Sequence, residues 1–147
     1  MGLSNAFDIS ASAIQAQRLH MEVISSNIAN INTTRGVNGT PYVKKTVVYS
    51  EIPMTSFSSE LEKAQGRMEG EISGGVSARA VDDYTTPMPK VYNPGHPDAD
   101  ANGYVTLPNV SLPTEMADMV YVSKLYEANI AALTATRKMG NDLLQIQ

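Results

Sequence analysis

Glycine and proline are concentrated in the middle of this 147-residue chain, and that uneven distribution limits what it can fold into. From Leu3 to Arg35 there is neither. Gly36 to Pro113 holds all eight prolines and eight of the ten glycines, and beyond Thr114 only Gly140 interrupts. Both residues break regular structure, so the chain divides into a helical segment over residues 1–35, a β-rich middle domain over 36–112 and a second helical segment over 113–147. The expected class is α+β, with long N- and C-terminal helices forming an antiparallel coiled-coil-like stalk that carries the small middle domain.

In the first segment, steps of four and three residues pick out Leu3, Phe7, Ser10, Ile14, Gln17, Met21, Ile24, Ile28 and Ile31, the spacing of a heptad seam. Seven of these nine are apolar, so the face is expected to bury against a partner helix, with Ser10 and Gln17 as polar register-setting insertions. A helix from about Ser4 to Asn30 follows. Its remaining faces are sparsely charged: from Leu3 to Arg35 only Asp8, Arg18, Glu22 and Arg35 carry a formal charge. An ordinary surface helix places charge opposite its apolar stripe. Here Ala, Ser, Asn and Gln stand instead, which suits either a helix touched by several neighbours or one folded against its own C-terminal partner.

The last segment opens with Pro113 at the first helical position, followed by Glu115 and Asp118 near the positive end of the helix dipole. Met116, Met119, Tyr126, Ile130, Leu133 and Leu144 recur on a second seam, which Val120, Val122, Leu125 and Leu143 widen. A helix over about Leu112 to Gln145 can pair with the first. Between the helices, Asn38-Gly39 marks a hairpin turn before a strand-like run from Tyr42 to Tyr49. Gly75 to Val81, Met88 to Tyr92 and Gly103 to Leu107 are further short strand candidates. Ser56 to Gly70 reads as a polar loop or marginal helix, and Gly70, Gly74 and Gly75 as turns at strand ends.

Composition removes several functional classes. A net charge of −4 offers none of the clustered Lys and Arg that hold phosphates, so no nucleic-acid partner is expected. Without cysteine there is no disulfide framework, thiol nucleophile or Cys-based zinc site. Ser4, Asn5, Asp8, Ser10 and Ser12 interrupt the apolar stretches a cleavable signal needs. No apolar run approaches the roughly 20 residues of a membrane span. On these grounds the chain stays in the cytoplasm unless it leaves by a route that reads no cleavable signal.

Chemistry-bearing patterns are few. Asp98, Asp100, Asn102 and Gly103 copy the start of a calcium loop, yet its twelfth position is Asn109, and Pro94, Pro97 and Pro108 forbid flanking helices. A rigid turn with Asx hydrogen bonds is the expected reading, and a calcium module or hydrolase built on these residues the competing one. His20 and His96 lack spaced ligand partners. No phosphate loop or nucleophile elbow is present. The sequence offers no catalytic, metal or cofactor residues; a soluble coiled-coil adaptor would use the same seams but would need no β-domain.

The helices also carry a resemblance. Ile9-Ser-Ala-Ser-Ala-Ile14 and Ile24-Ser-Ser-Asn-Ile-Ala-Asn-Ile-Asn-Thr-Thr34, centred on Asn27 and Asn30, resemble the N-terminal signature of flagellar rod and hook proteins. Asn93 to Val110, Glu115-Met-Ala-Asp-Met119 and Tyr126-Glu-Ala-Asn-Ile-Ala-Ala-Leu133 are similar to the short proximal rod subunits of that family. The resemblance implies a non-enzymatic subunit of the bacterial flagellar basal body, exported by the flagellar type III apparatus without a cleaved signal and built into the periplasmic rod. Implied partners are copies of itself, other proximal and distal rod subunits, and the inner-membrane ring with its rod adapter protein. The implied assembly interface is the two seams together with Asn27 and Asn30.

Overall fold

A computed structural model describes residues 2–36, 39–52 and 74–145, without the side chains of 2–6 and 143–145. The elements run α1 (Gly2–Ala29), β1 (Lys45–Ile52), β2 (Gly75–Asp82), β3 (Lys90–Tyr92), β4 (Tyr104–Thr106) and α2 (Leu112–Gln145). The α+β class is therefore as expected, and both helices fill the segments from which Gly and Pro are largely missing. The stretch from Ser56 to Gly70 lies outside the described residues, as does Asn38 of the expected hairpin turn.

β1 and β2 form one two-stranded sheet and β3 and β4 a second. The second is antiparallel, pairing Lys90 with Thr106, Val91 with Val105 and Tyr92 with Tyr104. β1 begins later than the expected run from Tyr42. The Tyr42 amide donates to Thr33 O at 3.0 Å and the Lys44 amide to Asn109 Oδ1 at 2.7 Å, so these residues bond to loops before the ladder starts.

The chain sorts into two compact units. The described part of one comprises residues 2–18, 49–52, 74–79 and 123–145. Here Ser12 joins α1 to β2: its hydroxyl donates to Ile9 O at 2.8 Å and accepts from the Val76 amide at 3.1 Å. Gly75 lies so close that a Cβ would stand 2.5 Å from Ser12 Oγ. This glycine is thus required by packing as well as by a strand end. Ala16 and Gln17 are buried in the same unit, and among the described residues no donor reaches Gln17 Oε1.

The other unit comprises residues 19–36, 39–48 and 80–122. Val23, Ile24, Val105 and Val122 make its apolar core. Asp100 builds the turn that returns the chain to β4, its Oδ1 accepting from the amides of Asn102 at 2.8 Å and Tyr104 at 2.9 Å. Gly103 completes the turn at φ +80°, and a Cβ there would crowd Tyr92. The Tyr92 and Tyr104 rings then meet edge to face, 5.4 Å apart.

Gly75→Ala should destabilise the chain by about 1–3 kcal/mol, the usual penalty for overpacking a closed contact. Chemical denaturation reads this directly, and an unchanged midpoint would refute the close approach of β2 to α1.

Candidate functional site

The C-terminal end of α1 carries a buried polar node. Asn27 is only 1% exposed, and all four hydrogen-bonding positions of its amide are used. Oδ1 accepts from the Lys45 amide and from Tyr42 Oη, both at 2.9 Å. Nδ2 donates to Lys45 O at 2.8 Å and to Glu115 Oε2 at 3.0 Å. The side chain thus pairs with both backbone groups of Lys45 as a neighbouring strand would.

Three residues on, Asn30 closes the helix. Its backbone and side-chain nitrogens both donate to Ser26 O, at 3.1 and 2.8 Å. Thr33 then donates its amide to Asn30 O at 3.0 Å and its hydroxyl to Asn30 Oδ1 at 3.3 Å, which sets the exit of the chain. The two asparagines of the signature have different duties: Asn27 joins elements and Asn30 caps one.

Glu115 completes the node from the first turn of α2. It is 1% exposed, and its Oε1 meets Lys44 Nζ at 2.7 Å as an ion pair lacking the alignment of a full hydrogen bond. A buried carboxylate needs compensating charge and donors, and Lys44 and Asn27 supply one each. His20 lies near the same carboxylate. Burial lowers its pKa from the ordinary 6.5, while the charges of Asp118 and Glu115 act in the opposite direction.

A second amide braces the opposite side of residue 44. Asn109, also buried, accepts from the Lys44 amide and donates to Asp83 O at 2.9 Å and Thr86 O at 3.2 Å. The Asp83 amide donates to Lys44 O at 2.8 Å. Asp83 in turn gathers Thr85 and Thr86, whose hydroxyls approach its carboxylate at 2.6 and 2.7 Å. The Thr85 hydroxyl is the main cause holding this carboxyl far below the usual carboxylate range, followed by the Thr86 hydroxyl and then the Thr85 amide.

The candidate interface residues fall into three groups. Ile24 and Asn27 are buried; Phe7, Ile14, Met21, Ile28, Asn30, Ile31, Met119, Tyr126 and Leu133 are half-buried; Met116 and Ile130 are exposed. The side chains of Leu3 and Leu144 lie outside the described residues. The node joins Asn27 to Tyr42, Lys44, Lys45 and Glu115, none of which the seam pattern selects. Glu115 reads in sequence as a carboxylate placed near the positive end of the helix dipole, and only its three-dimensional neighbours reveal a further role.

The calcium-like positions are taken by protein groups. Asp98 accepts from Thr34 Oγ1 at 2.7 Å and pairs with Arg35 at 3.7 Å, while Asp100 makes the Asx turn described above. Among the described residues no group of three or more His, Asp or Glu could hold a metal ion. Nor is any described helix long and apolar enough to cross a membrane.

Both ends of the chain match families of flagellar rod proteins. Residues 7–35, containing most of α1 and its cap, match the flagella basal body rod protein family, and residues 101–146 match the flagellar basal body rod FlgEFG protein C-terminal family. The flagellar basal-body rod protein FlgC of Bacillus subtilis is 41% identical over 97% of this chain and 96% of its own length. Those of Salmonella typhimurium and Borreliella burgdorferi are 38% and 33% identical, over 95% and 99% of this chain and 93% and 98% of their own lengths. The chain belongs to the FlgC family of flagellar basal-body rod proteins.

Asn27→Ala should cost roughly 2–5 kcal/mol, because it strips partners from several buried groups at once, whereas Asn30→Ala should cost about 1 kcal/mol. Equal losses in urea melts would contradict the separate duties assigned to them. His20 gives a pH test. Since its folded pKa lies below 6.5, its contribution to stability is complete above that pH and is lost as pH falls through and below it. Urea midpoints should drop between about pH 7.5 and pH 5.5, and His20→Gln should flatten that part of the profile.

Proposed function

We propose that this chain is a structural subunit of the proximal flagellar rod, polymerising through its terminal helices into the shaft that transmits motor torque, with no catalysis. α1 and α2 pair along their seams as a coiled-coil-like stalk, and neighbouring subunits contact the outward faces. Those neighbours are further copies, other rod subunits, and the inner-membrane ring with its adapter protein. The subunit reaches the periplasm through the flagellar type III apparatus without losing a signal peptide.

The observation that carries this reading is the surface of α2. Leu112, Met116, Val120 and Tyr121 are 42, 56, 62 and 64% exposed within three turns of one helix. Full burial of such a side chain is worth roughly 1.5–3 kcal/mol, and an apolar cluster left in water marks a surface meant to be covered. On α1 the exposed positions include Ala11, Gln15, Ser25 and Ala29, small or neutral side chains that permit close approach. Many such contacts, densely packed, would carry torque without chemistry at any of them.

The test must strike the outward face and spare the core. Ile24, 2% exposed, is unsuitable because a charge there would damage the fold itself. Val120→Asp should leave monomer stability within about 0.5 kcal/mol of the parent, as a surface change does. It should also abolish swimming when it replaces the resident FlgC of a flagellated bacterium. Normal motility from this variant would remove the exposed face of α2 from the assembly surface.

A further inference from the structure

Asn27, Lys44 and Glu115 meet in one buried contact that holds the parts of an acyl transfer. Lys44 Nζ stands 2.7 Å from Glu115 Oε1, and Asn27 Nδ2 donates to Glu115 Oε2 at 3.0 Å. A single carboxylate therefore touches an amine and a carboxamide. Asn27 and Glu115 are each 1% exposed and the Lys44 side chain is 22% exposed, so the three are largely withdrawn from water.

The Asn27 carboxamide is set up as an electrophile. Its Oδ1 accepts from the Lys45 amide and from Tyr42 Oη, both at 2.9 Å. Two donors on a carbonyl oxygen polarise the carbon and stabilise the negative charge that gathers on the oxygen when that carbon is attacked. The hydrogens of Nδ2 go to Lys45 O and Glu115. These bonds all lie at the edge of the amide, whereas a nucleophile approaches its carbon from the face. Lys44 is tethered beside it, because both backbone groups of the next residue bond to this amide and the Lys44 N–H is held by Asn109. An ammonium group must shed a proton before it can attack, and Glu115 is the base in contact with it. Away from water a neutral pair of amine and carboxylic acid is disfavoured less, relative to the ion pair, than it is in solvent.

We propose that the folded chain cross-links itself here, joining Lys44 Nζ to Asn27 Cγ in an isopeptide bond. Glu115 Oε1 takes a proton from Nζ, Nζ bonds to Cγ, and the carbonyl electron pair moves on to Oδ1 against Tyr42 Oη and the Lys45 amide. Glu115 then passes a proton to Nδ2, the Cγ–Nδ2 bond breaks with the electron pair going to nitrogen, and ammonia leaves. Of the hydrogens on the two nitrogens, one remains on the new amide, three depart with ammonia, and one stays on Glu115 or passes to water. The amide carbon keeps its oxidation level, so the step calls for no oxidant or reductant. The event happens once per chain, on the chain itself, and turns over no substrate. It ties the end of α1 covalently to the approach to β1, and it stands or falls separately from the rod assembly.

The test is intact mass spectrometry of the purified, folded full chain, followed over days and joined to a tryptic map. The parent should become lighter than its sequence by one ammonia. Trypsin cleaves after Arg35 and Lys45 but not after an acylated Lys44, so residues 19–35 and 36–45 should be released as one branched peptide. Lys44→Arg keeps a cation for Glu115, yet a guanidinium does not give up its proton in a protein. Glu115→Gln keeps the side-chain size but offers no base. Both variants should retain the full mass. A parent that keeps the mass of its sequence, with residues 19–35 and 36–45 recovered separately, overturns the proposal without recourse to any variant. Ammonia lost equally from Lys44→Arg would place the loss at an asparagine elsewhere in the chain, which also overturns it. A branched peptide formed as fast in Glu115→Gln would contradict the role given to the carboxylate.

Discussion

The pairing of the Asn27 amide with both backbone groups of Lys45 is the interaction around which the unit containing it is organised. A primary amide presents a carbonyl and an N–H side by side, so from a helix it can occupy the place that a neighbouring strand would fill. Its remaining valences reach Tyr42 and Glu115. One side chain thereby joins the end of α1, the approach to β1 and the first turn of α2. Away from water such a junction is demanding, because each lost partner leaves a buried group unsatisfied.

Asn109 repeats the device across the backbone from Asn27. Lys44 is held by Asn109 and Asp83, Lys45 by Asn27, so two successive residues are clamped from different sides. The second sheet is short by comparison, with strands of three residues each that would be marginal alone. For a rod subunit the arrangement suits the work proposed: directional bonds join the elements of this unit, and Met116 and Val120 stand exposed on α2.

Much of the architecture could be read from residue order. The uneven distribution of Gly and Pro predicts both helices, and α2 begins at Leu112 as Pro113 and the acidic residues behind it suggest. β2 follows the expected strand from Gly75 to Val81 closely. The Asx turn at Asp100 was readable because its acceptor and donors lie within four residues. Tyr42 to Lys44 could not be placed by such local reasoning: their pattern is strand-like, but Thr33, Asp83 and Asn109 take their backbone groups from a distance. Glu115 escaped for the same reason, since its role depends on Asn27 and Lys44, which lie far away in the chain.

The sequence by itself determined where helices begin and end, the absence of cysteine chemistry and of a basic binding surface, and the signature around Asn27 and Asn30 that marks the family. These are local or additive properties, carried by each residue's own conformational preference and charge. Tertiary structure alone decided that a charged residue, Glu115, shares the inward face of α2 with Val122. The heptad seam selects Met116, yet it is Glu115 that is buried, because hydrophobic periodicity ranks faces by apolar content and cannot register a directional bond. The Asn27 amide and the Lys44 ammonium group, brought in from two other segments, meet that buried carboxylate, and only the folded chain brings them together.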